Sequence, residues 1–177
     1  MSRFRMKTGR AAGGLLALCA AAAGCARPGG ARIEPGSGSA TDVPRTSVTL
    51  ERTACYGRCP VYTVRLSGDG TVAFHGERFT ATSGDATGAV PREWVAALVR
   101  EMNTAGYWSL GESYAAGSAA CPNSPTDLPS EIITLTAGGR SKRVEHYRAC
   151  SGAPASIAAM AARIDQIAGT EKWIGPR

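Results

Sequence analysis

Val61-Tyr62-Thr63-Val64-Arg65-Leu66-Ser67-Gly68-Asp69-Gly70-Thr71-Val72-Ala73-Phe74-His75 decides the fold class. Tyr62, Val64 and Leu66 alternate with Thr63 and Arg65, so one face of this run is apolar and the other polar. That two-residue period is the pattern of a half-buried strand. Gly68-Asp69-Gly70 supplies a turn, and Val72 and Phe74 resume the alternation beyond it. Two such runs joined by a tight glycine turn make an antiparallel hairpin.

Working upstream, Val48 and Leu50 alternate with Thr49 and Glu51, which adds a strand starting near Thr46. Downstream, Glu77 to Thr82 continues in an extended pattern, and Thr87 to Val90 is a short edge piece. Pro91 then opens a helix, at the position where a missing N–H costs nothing. Its apolar stripe is Trp94, Val95, Leu98, Val99 and Met102, and Gly106 stops it. Residues 111–130 are loop-like, with Pro122, Pro125 and Pro129. Ile132 to Ala137 and Arg140 to Tyr147 flank Gly138-Gly139 as a second hairpin. A second helix starts at Pro154, with Ile157, Met160, Ala161, Ile164 and Ile167 as its stripe and Gly169 as its end. The expected architecture is α+β: a mainly antiparallel sheet in the order strands, helix, hairpin, helix, with two helices packed on one face. About 130 residues make one core and not two.

The N-terminus carries a different message. Arg3, Arg5, Lys7 and Arg10 precede an apolar run from Ala11 to Ala23, and Ala22-Ala23-Gly24-Cys25 ends it. A basic start, a short apolar centre and a small-residue exit form a secretory signal over residues 1–24. The exit resembles the lipobox of bacterial lipoproteins, with Ala22 where a leucine is usual. The resemblance implies acylation of Cys25 as the first mature residue. It also implies a membrane partner through that lipid, in a bacterial cell envelope. By the sorting habit of such lipoproteins, the resemblance with Ala26 and not Asp after the cysteine implies the outer membrane, facing the periplasm. Residues 25–45 are rich in Gly and Ser and read as a flexible tether with a reach of roughly 25 Å. Residues 46–177 are then the single folded domain.

Charge excludes one large class of partner. The chain has 20 basic and 14 acidic residues, but four of the basic ones lie in the signal. The remaining 16 against 14 leave a net charge of +2, without the basic face that nucleic-acid binding needs.

Of six cysteines, Cys19 leaves with the signal and Cys25 takes the lipid, so Cys55, Cys59, Cys121 and Cys150 remain. An even number in an exported domain reads as two disulfides, with three pairings available. If the runs around Tyr56-Gly57-Arg58 pair as a hairpin, Cys55 and Cys59 face each other at its base. Cys121 and Cys150 flank the second hairpin, and the prolines of the loop fold Cys121 back. The expected pairs are therefore Cys55–Cys59 and Cys121–Cys150. The spacing Cys55-x-x-x-Cys59-Pro60 also suits thiol-redox chemistry or Cu(I) held by two soft thiolates. No βαβ pattern of thioredoxin type precedes it, and only His75 and His146 could add a ligand.

Enzymatic signatures are missing. The chain has no Gly-x-Ser-x-Gly elbow, no phosphate-cradling glycine loop before a helix, and no acidic pair on one strand face. No catalytic residue, metal or cofactor is expected. The chemistry points to a non-enzymatic binding or structural module for a protein or small-molecule ligand. Its candidate surface is Tyr56, Arg58, Tyr62, Glu77, Arg78 and Asp127.

Cys-Tyr-Gly-Arg-Cys-Pro-Val-Tyr at 55–62, Gly-Asp-Gly-Thr-Val at 68–72 and Gly-Glu-Arg-Phe at 76–79 are motifs of one family, as are Thr-Asp-Leu-Pro at 126–129 and Gly-Thr-Glu-Lys-Trp-Ile at 169–174. On these residues the chain from Val48 to Ile174 resembles a bacterial family of exported proteins, domain of unknown function 6438. The resemblance implies a shared fold and brings no catalytic residues with it.

Overall fold

The computed structural model describes residues 46–176. The expected signal peptide (1–24), the lipidation site Cys25 and the tether (25–45) lie outside the described residues, as does Arg177. Four strands come first: β1 (Ser47–Arg52), β2 (Val61–Ser67), β3 (Thr71–Arg78) and β4 (Gly84–Ala89). Helix α1 (Arg92–Thr104) comes next, then a 3-10 turn at Tyr107–Ser109 and the two-residue strand β5 (Ser113–Tyr114). The hairpin β6 (Ser130–Ala137) and β7 (Arg140–Tyr147) leads into α2 (Ala155–Ala168) and the short α3 (Glu171–Ile174).

All seven strands form one sheet in the order β4-β3-β2-β1-β6-β7-β5. Every pairing is antiparallel except β5 with β7. The fold is α+β with a mainly antiparallel sheet, and the first strand sits at its centre. Register is set by the apolar phase. Leu50 lies opposite Val64 and Ile133, Val64 opposite Phe74, and Ile133 opposite Val144. A slip of one residue would turn this whole row toward water. Val95, Leu98 and Met102 of α1 and Ile157, Ala161 and Ile164 of α2 join those strand residues in a single buried cluster.

The two helix boundaries reflect local chemistry. Pro91 and Pro154 sit at the N-terminal ends with extended backbone, and no side chain caps either helix. Gly169 closes α2 in the left-handed conformation (φ 62°), which costs glycine nothing.

The structure corrects four local expectations. Trp94 does not belong to the buried stripe and is 53% exposed. At 3.6 residues per turn it lies on the border of the arc spanned by Val95, Leu98 and Met102, and the sheet reaches only that arc. Residues 79–82 do not extend β3, which stops at Arg78. The loop from β1 to β2 is longer than a three-residue turn, because Arg52 and Tyr62 are the last paired residues. The Cys55–Cys59 ring therefore sits within the loop and not at the base of the hairpin. Finally, the stretch after Gly111 contributes β5, too short and too polar to show a period.

Gly76 decides the path of the chain beyond β3. It lies opposite Tyr62, in phase with Phe74, so its side chain would point into the core. A Cβ there would collide with the Thr82 carbonyl oxygen and the Thr80 hydroxyl. Without one, residues 79–82 fold back over the sheet and bond to the chain end: Ala81 N–H to Ile174 O at 3.1 Å, Thr82 N–H to Trp173 O at 2.9 Å. Tyr62, Phe74 and Trp173 stack in sequence beside this return, with ring centroids 5.4 and 4.9 Å apart.

Candidate functional site

The centre of the covered face of the sheet is apolar, and one end of it carries a polar row. There Arg52 lies opposite Tyr62 on one side and Glu131 on the other, and Glu131 lies opposite His146. All four share the inward phase of Leu50, Val64, Ile133 and Val144. Asp165 of α2 reaches the same row and takes a hydrogen bond from Arg52 Nη2 (2.7 Å), the Tyr62 hydroxyl (2.6 Å) and the Thr170 hydroxyl (3.0 Å). Arg52 Nη1 bonds to Glu131 Oε2, and His146 Nδ1 lies 2.9 Å from Glu131 Oε1.

Such a row is costly to bury unless every charge is partnered, because each ion loses several kcal/mol of hydration. Glu131 is only 2% exposed and holds partners on both oxygens. Burial works against the charge on Arg52. Asp165 and Glu131 outweigh it, and the guanidinium pKa rises above its ordinary value. Burial, reinforced by the negative charge of Asp165, pushes the Tyr62 phenol far above its ordinary range. Tyr62 is thus a fixed hydrogen-bond donor.

Above this floor opens a cleft of about 710 Å³. Arg52 and Tyr62 form its base, Arg58 and Cys59 one wall, and Phe79 with Ile174 another. Buried Pro129 and exposed Arg148 complete the lining. The wall at Cys59 is a rigid object. Cys55 and Cys59 are joined as a disulfide with Cα atoms 5.8 Å apart, and both are half-buried. The Tyr56 amide donates to Asp127 O at 3.1 Å, and Thr53 bonds Ser130 in both directions (3.0 and 2.7 Å). The stapled loop is thereby sewn to residues 127–130. That segment is itself held by the Cys121–Cys150 disulfide (Cα atoms 5.2 Å apart) and by the Tyr147 hydroxyl, which accepts from Leu128 N–H at 2.9 Å. The Arg148 amide donates to Pro129 O at 3.2 Å, which sets Arg148 at the rim.

Phe79 is the one described non-glycine residue with a positive φ, 55°. A bulky side chain is rarely found there, and such strain collects at binding and catalytic sites. Here the backbone turn brings a half-exposed ring to the cleft, and the Arg58 guanidinium lies over it, 5.6 Å from the centroid.

A second hollow of about 760 Å³ shares Ile174, Gly175 and Pro176 with this cleft. Asp165, Glu171 and Lys172 give it mixed charge, and no aromatic ring lines it. The smaller cleft, with the Arg58 guanidinium over an aromatic ring, is the better-defined site.

Of the six residues expected to form a surface, Arg58 and Tyr62 line the cleft. Tyr56 is 92% exposed at the loop tip and joins Asp127 through their backbones. Glu77 and Arg78 lie at the exposed end of β3 and do not line the cleft. Sequence reasoning missed Arg52, Phe79, Glu131, Arg148 and Asp165, and it considered His146 only as a metal ligand. For Arg52, Glu131 and His146 a signal existed: each is a polar residue in the apolar phase of a strand. Arg148, Phe79 and Asp165 reach the site through loop and helix packing that no periodicity reports. His75 is one register position from this row but on the outer face of the sheet, 2.6 Å from Asp85.

His146 does not line the cleft. Among the described residues, no cluster of His, Cys, Asp and Glu is placed to hold a metal ion. The geometry sets hydrogen-bond donors and an aromatic ring around a hollow with a hydrogen-bonded floor. No curated protein and no solved structure matches the chain. Residues 46–168 match the family model described as Domain of unknown function (DUF6438), and the chain belongs to that family.

Proposed function

We propose that this protein is a non-enzymatic binding module of the bacterial cell envelope, attached to the membrane by lipid on Cys25, with the cleft beside the Cys55–Cys59 loop as its ligand site. The observation that carries the binding reading is the combination of a stapled wall, a strained aromatic residue at the rim and a floor fixed by a buried ion network. Sites of this size, concave and with a few placed polar groups, are the usual form of ligand pockets. The anchoring reading is supported by the lipobox-like Ala22-Ala23-Gly24-Cys25.

Protein-observed NMR with a library of neutral, cationic and anionic fragments tests the site. Hits that shift the amides of Phe79, Ala81 and Gly175 sustain it, and a library that leaves all three unmoved sinks it. Mass spectrometry of the mature protein tests the anchor: an acylated Cys25 at the N-terminus is expected, and a soluble species starting elsewhere refutes it.

A second reading, thiol-redox or Cu(I) chemistry at Cys55 and Cys59, is favoured by one observation: this half-buried disulfide forms part of the cleft wall. A reduction potential below about −300 mV would mark the bond as structural and remove that reading.

A further inference from the structure

We propose that the cleft binds a small soluble organic anion, a carboxylate or phosphate monoester carried on an apolar body. The proposal deepens the binding reading above and rests on it. Its anchors are two arginines that line the cleft from separate parts of the chain: Arg58 on the stapled loop and Arg148 just beyond β7. Both are exposed, and among the described residues no carboxylate lies within 4.0 Å of either. No lining residue is acidic. Arg52 is different. Both of its terminal nitrogens are taken by Glu131 and Asp165, so it serves as part of the floor and not as an anchor.

A guanidinium offers parallel N–H donors to two oxygens at once, which suits carboxylate and phosphate. Arg58 is pre-positioned for this by its place over the Phe79 ring. The apolar body has its own surfaces in Phe79, Pro129 and Ile174. A hollow of about 710 Å³ falls within the roughly 300–1,000 Å³ typical of small-molecule sites and is too small to seat a protein face.

The test is calorimetric titration of the full chain with 2-naphthoate and 2-naphthyl phosphate, against 2-naphthamide, which keeps the ring and lacks the charge. The anions are expected to bind about tenfold or more tightly than the amide. Raising the salt to about 0.5 M should weaken the anions and leave the amide unchanged. Arg58→Gln and Arg148→Gln should each weaken naphthoate by about tenfold. Arg78→Gln, an exposed arginine outside the cleft, should not. Equal affinity for naphthoate and naphthamide overturns the proposal while leaving a neutral-ligand cleft standing. An equal loss in Arg78→Gln overturns it as well, because the attraction is then general charge. Binding confined to phosphatidylglycerol vesicles, absent for both soluble anions and lost in Arg58→Gln, overturns it in favour of a membrane surface.

Discussion

Arg52 and Glu131 face each other across β1 and β6 on the covered side of the sheet, a charged pair in the row next to Leu50 and Ile133. The pair does not stand alone. Arg52 also serves Asp165, so one guanidinium bonds two carboxylates from two different elements.

That stoichiometry predicts an asymmetry. Removing Glu131 as Glu131→Gln leaves Arg52 with Asp165. Removing the cation as Arg52→Met leaves two carboxylates facing each other with reduced hydration. Arg52→Met should therefore cost the most, about 3–5 kcal/mol in urea unfolding, and more than either Glu131→Gln or Asp165→Asn. If the three variants unfold at one midpoint, the network does not act as a unit.

The return of residues 79–82 depends on the absent side chain of Gly76. Gly76→Ala places a Cβ against the backbone of Thr82, which has nowhere to move because Ala81 and Thr82 are bonded to Ile174 and Trp173. Overpacking of this kind costs about 1–3 kcal/mol. The same variant should loosen Phe79 and Ala81, seen as faster amide exchange at Thr82. Ala73→Ser, on the exposed face of the same strand, should stay within about 0.5 kcal/mol. Unchanged stability in Gly76→Ala would show that the return is not held by the sheet.

The two disulfides should differ in worth. The Cys121–Cys150 bond spans a sequence separation of 29 and the Cys55–Cys59 bond one of 4. In the chain-entropy account the longer ring contributes about 3–4 kcal/mol and the shorter about 2. Cys121→Ala/Cys150→Ala should lower the unfolding midpoint more than Cys55→Ala/Cys59→Ala. The short ring should act locally: its loss should leave the core intact and increase exchange at Tyr56, whose amide holds Asp127. A larger global loss from the short ring would mean that the loop is part of the cooperative unit.

How much of the structure was legible depends on the interaction that placed each residue. Val64, Leu66, Val72 and Phe74 were readable because burial on one sheet face imposes a period of two, and the sheet face is the fold. The α2 stripe was readable for the same reason at a period of 3.6, and all five of its residues are buried. Trp94 misled because periodicity defines an arc without saying how much of it the sheet covers. The cleft was half legible. Arg58 and Tyr62 belong to the loop and strand that carry the Cys55-Tyr56-Gly57-Arg58-Cys59-Pro60 motif. Arg148 and Phe79 arrive through hydrogen bonds between segments far apart in the chain, and those leave no local pattern.

Acid should loosen the joint between the two long helices. Glu101 of α1 accepts two bonds from Arg163 of α2, from Nε at 3.0 Å and Nη2 at 3.2 Å. The hydrogen bond from Arg163, helped by its charge, holds the Glu101 carboxyl below its ordinary value of 4.5. A carboxylate with a depressed folded pKa contributes stability above its unfolded value and loses it as the pH falls through the folded one. The gap in thermal midpoint between the protein and Glu101→Gln should therefore be constant from pH 7 down to about 5 and close below about 4.5. High salt at pH 7 should narrow it, because both groups are substantially exposed and screened by solvent. A gap that persists at pH 2 would assign the effect of Glu101→Gln to packing between the helices and not to its ionised carboxylate.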